Sequence, residues 1–71
     1  MTIRDMMDQF QIQGAYCIKT WNDVFQDCMT LASGTDFECE NHRIKDEYLD
    51  ADIKYMYCVD GVLNIEIEME E

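Results

Sequence analysis

The stretch Asp52-Ile-Lys-Tyr-Met-Tyr-Cys-Val-Asp-Gly-Val-Leu-Asn-Ile-Glu-Ile-Glu-Met69 decides the fold. Two runs with a side-chain period of two flank Asp60-Gly61, a pair that suits a two-residue hairpin turn because both positions tolerate positive φ. Setting Val59 opposite Val62 puts Met56, Cys58, Leu63, Ile65, Ile67 and Met69 on one face. Tyr55, Tyr57, Asn64, Glu66 and Glu68 then share the other. The first set is expected to form core and the second to face water.

Working outward, Ala15 to Trp21 has the same period, and Asn22-Asp23 offers a turn before Val24 to Ala32. A two-residue loop here sets Trp21 opposite Val24 and Cys17 opposite Cys28. The core residues of this first hairpin are then Tyr16, Ile18, Phe25, Met29 and Leu31. Upstream, Thr2 followed by Asp5 has the form of a helix N-cap with an acidic first turn. Ile3, Met6, Met7 and Phe10 follow at helical spacing, which predicts one amphipathic helix from residue 2 to about 11. Ser33-Gly34-Thr35 breaks the strand pattern. Residues 34 to 50 read as a charged loop with one helical turn near Ile44 to Leu49. The expected architecture is α+β: an N-terminal helix packed on a four-stranded, mainly antiparallel sheet of two hairpins, with a long charged loop between them.

Composition bounds this reading. With 71 residues, no proline and three glycines, the chain has no linker and reads as a single domain over residues 1 to 71. Its hydrophobic share of 48% is too high for a disordered chain. The N-terminal segment is too acidic for a secretory or membrane-spanning apolar run, so a cytoplasmic location is expected. Sixteen acidic residues against five basic ones give a net charge of −11, which repels nucleic acid and anionic membrane. A protein that responds to such a field carries a basic patch, and large basic patches are typical of nucleic-acid channels.

The parts for catalysis are missing. One histidine, no glycine-rich phosphate loop and no nucleophile motif make an enzyme an unfavoured reading. Metal binding has more support, since the predicted register turns Cys17 and Cys28 to one face away from the core. Cys39-Glu-Asn-His42 supplies a short ligand pair, so Cys17, Cys28, Cys39 and His42 are candidate ligands of a structural Zn2+, with Cys58 in the core. Free thiols and a Cys17–Cys28 disulfide are the alternatives. Asp36, Glu38 and Glu40 alternate, and Asp46, Glu47, Asp50 and Asp52 follow. Glu66, Glu68, Glu70 and Glu71 end the chain. In extended backbone such alternation spaces charges by about 6.6 to 7 Å, close to the phosphate spacing of one nucleic-acid strand. A partner-binding surface is expected from these acids with Tyr55 and Tyr57. Charge that guards an exposed edge strand is the other explanation.

The segments Ile12 to Trp21 and Tyr48 to Glu68 are similar to small acidic proteins of phages and mobile elements, and the chain resembles the type II-A anti-CRISPR proteins. The resemblance implies an inhibitor of guide-loaded Cas9 that hinders loading or cutting of target DNA, with a positively charged heteroduplex channel as its natural target. The resemblance carries over no binding residue. An acidic interaction module or antitoxin-like protein that neutralises another basic host factor is the second reading.

Overall fold

A computed structural model describes residues 1–69. Its first element, α1, spans Ile3–Gln9. The Asp5 amide donates to Thr2 Oγ1 and the Thr2 amide donates to Asp5 Oδ2, both at 3.1 Å, which closes a reciprocal capping box. Ile3 and Met6 are buried, and Met7 is partly so. The helix stops before its fourth apolar position, because Phe10 adopts extended backbone, and that ring stays exposed instead of joining the stripe.

Four strands follow: β1 (Ala15–Asn22), β2 (Asp27–Gly34), β3 (Ile53–Val59) and β4 (Val62–Ile67). Their order in the sheet is β2-β1-β4-β3. The two hairpins are antiparallel, but β1 and β4 pair in parallel at the centre, so the sheet is mixed. Each hairpin supplies one central strand and one edge strand.

The second hairpin has the expected register from Tyr55 to Val59, and a bulge at Lys54 then sets Ile53 opposite Ile67. Val59 pairs with Val62, and Asp60 and Gly61 both take positive φ (51° and 75°), as a mirror-image two-residue turn requires. Leu63, Ile65 and Ile67 point into the molecule. Met56 and Cys58 lie on that same face by register but are exposed, since β3 is at the edge and the core cluster does not extend over them. Cys58 is therefore not the core thiol that the pattern predicts.

The first hairpin departs from expectation. Its loop has four residues, Asp23 to Gln26, and Trp21 pairs with Cys28 while Cys17 pairs with Ser33. Asn22 Oδ1 accepts from the amides of Val24 (2.9 Å) and Phe25 (3.2 Å), which turns the chain through a side chain. A two-residue turn at Asn22-Asp23 would need positive φ at Asn22, and in this loop only Gln26 takes it (50°). A further shift between Ile18 and Lys19 leaves Leu31 without a partner on β1. Tyr16 and Ile18 are buried and Leu31 is half-buried, as expected. Phe25 and Met29 are exposed, which corrects the predicted core.

The connection from β2 to β3 is more ordered than a charged loop. It contains α2 (Phe37–Glu40), a 3-10 turn (Asn41–Arg43) and α3 (Asp46–Leu49), the last within the predicted helical turn. Phe37, Ile44 and Leu49 from this segment join Ile3, Met6 and Ile12 over Tyr16, Ile18, Ile65 and Ile67. Phe37 meets Tyr16 edge to face, with ring centroids 5.2 Å apart. Gly34 permits this contact, since a Cβ there would sit 2.7 Å from the Tyr16 ring. The N-terminus is tied to β3 by the Ile53 amide, which donates to the Met1 carbonyl at 2.8 Å. No helix among the described residues is long and apolar enough to cross a membrane.

Candidate functional site

All helical segments contribute to one side of the sheet, and the register leaves the other side bare. That outer face carries Cys17, Lys19 and Trp21 from β1, and Cys28, Thr30 and Ser33 from β2. Asn64 and Glu66 from β4, with Tyr55, Tyr57 and Val59 from β3, complete it. None of these residues belongs to the core cluster. Trp21, Tyr55, Tyr57 and Val59 are exposed large side chains, Tyr55 to 62%. Lys19 sits among them, with Nζ donating to the Tyr57 hydroxyl at 3.3 Å and lying 5.6 Å from the ring centroid. That hydrogen bond is the main reason the Lys19 ammonium is held above its ordinary pKa, and burial opposes it. Asn64, expected to face water, is buried between these neighbours and donates from Nδ2 to the Val62 carbonyl at 3.0 Å.

The register assigns two charged residues to the outer face, Lys19 and Glu66, with the exposed Lys54 at the β3 bulge beside them. Most acidic side chains of the described residues therefore lie elsewhere. Glu47, Asp50, Asp52 and Glu68 line an open depression with Ala51 and Met69. Arg4 donates to Asp50 Oδ1 from Nε (2.5 Å) and to Asp46 Oδ1 from a terminal nitrogen (3.0 Å), so two of the expected partner-binding acids are engaged within the chain. Those hydrogen bonds raise the Arg4 pKa above its ordinary value.

Asp36, Glu38 and Glu40 do not line an extended strand. Glu38 and Glu40 lie in α2 and Asp36 caps it, accepting from the Cys39 amide at 3.4 Å. Glu40 Oε1 accepts from the amides of Thr35 and Asp36, both at 3.0 Å, and Glu38 accepts from Gln11 and Gln13. A helix advances about 1.5 Å per residue and turns successive side chains away from one another, so the strand-like spacing of charges is not realised. Glu66 is half-buried on the outer face, while Glu68 faces the acidic depression. Glu70 and Glu71 lie outside the described residues.

The cysteines are dispersed. Cys17 and Cys28 share the outer face, but the register separates them by five positions along β2, about 15 Å of strand. Two thiolates on one zinc ion lie within about 4.6 Å of each other, twice the Zn–S length. The four-ligand set Cys17, Cys28, Cys39 and His42 is thus not assembled, and no group of three or more His, Cys, Asp or Glu among the described residues is placed to hold a metal ion. All four cysteines are free thiols, so the Cys17–Cys28 disulfide is not formed either. Cys39 and His42 are exposed on the turns after β2. The Asp36 carboxylate, through a hydrogen bond and then its charge, pushes the Cys39 thiol above its ordinary pKa, which disfavours the reactive thiolate.

Sequence reasoning missed the most exposed apolar residues of the chain, Val24 at 80% and Phe25 at 74%. They sit at the tip of the β1–β2 hairpin, where alternation assigned Phe25 to the core. The signal that could have found them is Asn22, a residue whose side chain can close a wider turn than two residues.

No family model matches the chain, and no curated protein and no solved structure matches it.

Proposed function

We propose that this is a non-catalytic binding protein that occupies a basic surface of a partner protein, with guide-loaded Cas9 as the particular partner suggested by the resemblance. The observation that carries the reading is the separation of two surfaces. An almost neutral, aromatic sheet face adjoins a body that carries most of the acidic side chains of the described residues. Aromatic side chains supply contact area at low entropic cost, and a surrounding field of one sign raises the association rate with an oppositely charged partner. Charge of this magnitude disfavours nucleic acid as the direct ligand.

The test is DNA cleavage by guide-loaded Cas9 with the protein added at a near-equimolar ratio. Cleavage should be abolished, and the block should weaken as salt rises, because exposed charges are screened. Undiminished cleavage at large excess, across several Cas9 orthologues, removes Cas9 as the partner. Recovery of a different basic protein by the immobilised chain would then favour the antitoxin-like reading.

A further inference from the structure

We infer that the tip of the β1–β2 hairpin is a preformed apolar plug that seats in an apolar pocket with a basic rim on the partner protein. This rests on the binding function proposed above and assigns its anchor. Val24 and Phe25 contribute nothing to the core, yet the loop that presents them is fixed by its neighbours. Asn22 Oδ1 accepts from both their amides, Trp21 Nε1 donates to Asp23 Oδ1 at 2.6 Å, and Asn22 Nδ2 donates to Met29 Sδ at 3.3 Å. These bonds hold the tip in one conformation before any partner arrives, which lowers the entropic cost of inserting it. Trp21, exposed on β1 at the base of the tip, extends its apolar surface toward the sheet.

The charges around the tip define its occupant. Asp23 and Asp27 flank Val24 and Phe25, and no lysine or arginine occurs between Lys19 and Arg43. The cation brought near by the fold, Lys54 of β3, shares a depression with Asp23 and Glu68 at the base of the tip. A cationic rim is complementary to that arrangement. A second copy of the chain is not, since it would bring −11 against −11 and set the flanking aspartates near acids of its own kind. Size points the same way. An aromatic side chain buries about 150 to 250 Å². The tip alone therefore falls short of the roughly 800 Å² per partner of a stable interface, and the outer face must supply the rest.

The test uses the full chain and the double variant Val24→Ser/Phe25→Ser, whose melting temperature should stay within about 3 °C of the unmodified protein because both side chains are exposed. The first probe is a β-cyclodextrin with primary ammonium groups on one rim, an apolar cavity edged with positive charge, titrated into 15N-labelled protein. Shift changes should centre on residues 23 to 27, appear at lower concentration than with neutral β-cyclodextrin, and vanish in the double variant. Equal response to both cyclodextrins, or changes centred on Tyr55 and Tyr57, overturns the plug.

The second probe is the cleavage assay above. Loss of inhibition by roughly tenfold or more in the double variant supports the plug. Equal inhibition by both proteins overturns it while leaving the binding function intact. Failure of the unmodified protein to inhibit removes the proposed partner, and the cyclodextrin titration then decides the plug. A concentration-dependent dimer that the double substitution dissolves shows the tip covered by a second copy, and overturns it as well.

Discussion

The two hairpins of the sheet have similar strand lengths and begin from similar alternating patterns, yet one closes as its sequence predicts and the other does not. In β3–β4, Asp60-Gly61 supplies two positive-φ residues, the tightest turn is available, and the cross-strand partners from Val59 back to Tyr55 follow from it, up to a bulge at Lys54. In β1–β2, Asn22-Asp23 lacks the glycine, and the Asn22 side chain closes a four-residue loop instead. A loop two residues longer that also starts one residue later carries Cys28 four positions, from its expected place opposite Cys17 to a place opposite Trp21. It also leaves Val24 and Phe25 outside the ladder. Turn chemistry, more than strand alternation, sets the register of an edge strand with few buried side chains.

The comparison can be broken most severely at the centre of the sheet, where the two hairpins meet as Ile18 opposite Ile65, both fully buried. Ile18→Ala or Ile65→Ala should each cost about 2 to 5 kcal/mol in urea unfolding and affect both hairpins equally. For a domain this small, that is a large share of the typical 5 to 15 kcal/mol. An unequal cost would mean that one hairpin is stable without the other.

The glycines separate packing from backbone conformation. Gly34→Ala places a methyl against Tyr16 and the Glu40 carboxylate, and should cost about 1 to 3 kcal/mol by overpacking. Nothing lies near a Cβ at Gly61, so Gly61→Ala should cost about 1 kcal/mol through its positive φ alone. Thermal melts of the two variants measure both effects. In the first hairpin, Asn22→Ala should lower stability by about 1 kcal/mol and speed hydrogen exchange at the amides of Val24 and Phe25. No change in their exchange would show that the loop does not depend on Asn22.

The smallest effect concerns a residue outside both hairpins. Asp36→Asn should leave stability nearly unchanged but raise the alkylation rate of Cys39 at pH 8, because removing the carboxylate lowers a thiol pKa that it now holds up. Mass spectrometry after timed iodoacetamide treatment reads that rate.

Much of the fold is legible in the sequence: the Thr2 cap, the central strands and the second hairpin with its turn. The candidate site is legible in part. Tyr55 and Tyr57 follow from alternation on β3, because a period of two fixes a face once the turn is known. The cysteine cluster fails for the same reason in reverse, since its geometry depended on a turn that does not form. Alternation of the acids at residues 36 to 40 predicts extended backbone, but Asp36 caps a short helix that Phe37 anchors in the core.

The sequence by itself determined the class of structure, the inward residues of the central strands and the excess of negative charge. It did so because periodicity, capping and turn preferences act between residues close in the chain. Only the tertiary structure decided that β1 and β4 lie parallel at the centre, that one sheet face stays bare, and that an apolar hairpin tip is left in water. Those outcomes depend on which elements cover one another. Helices as short as four residues contribute burial on one side of the sheet only.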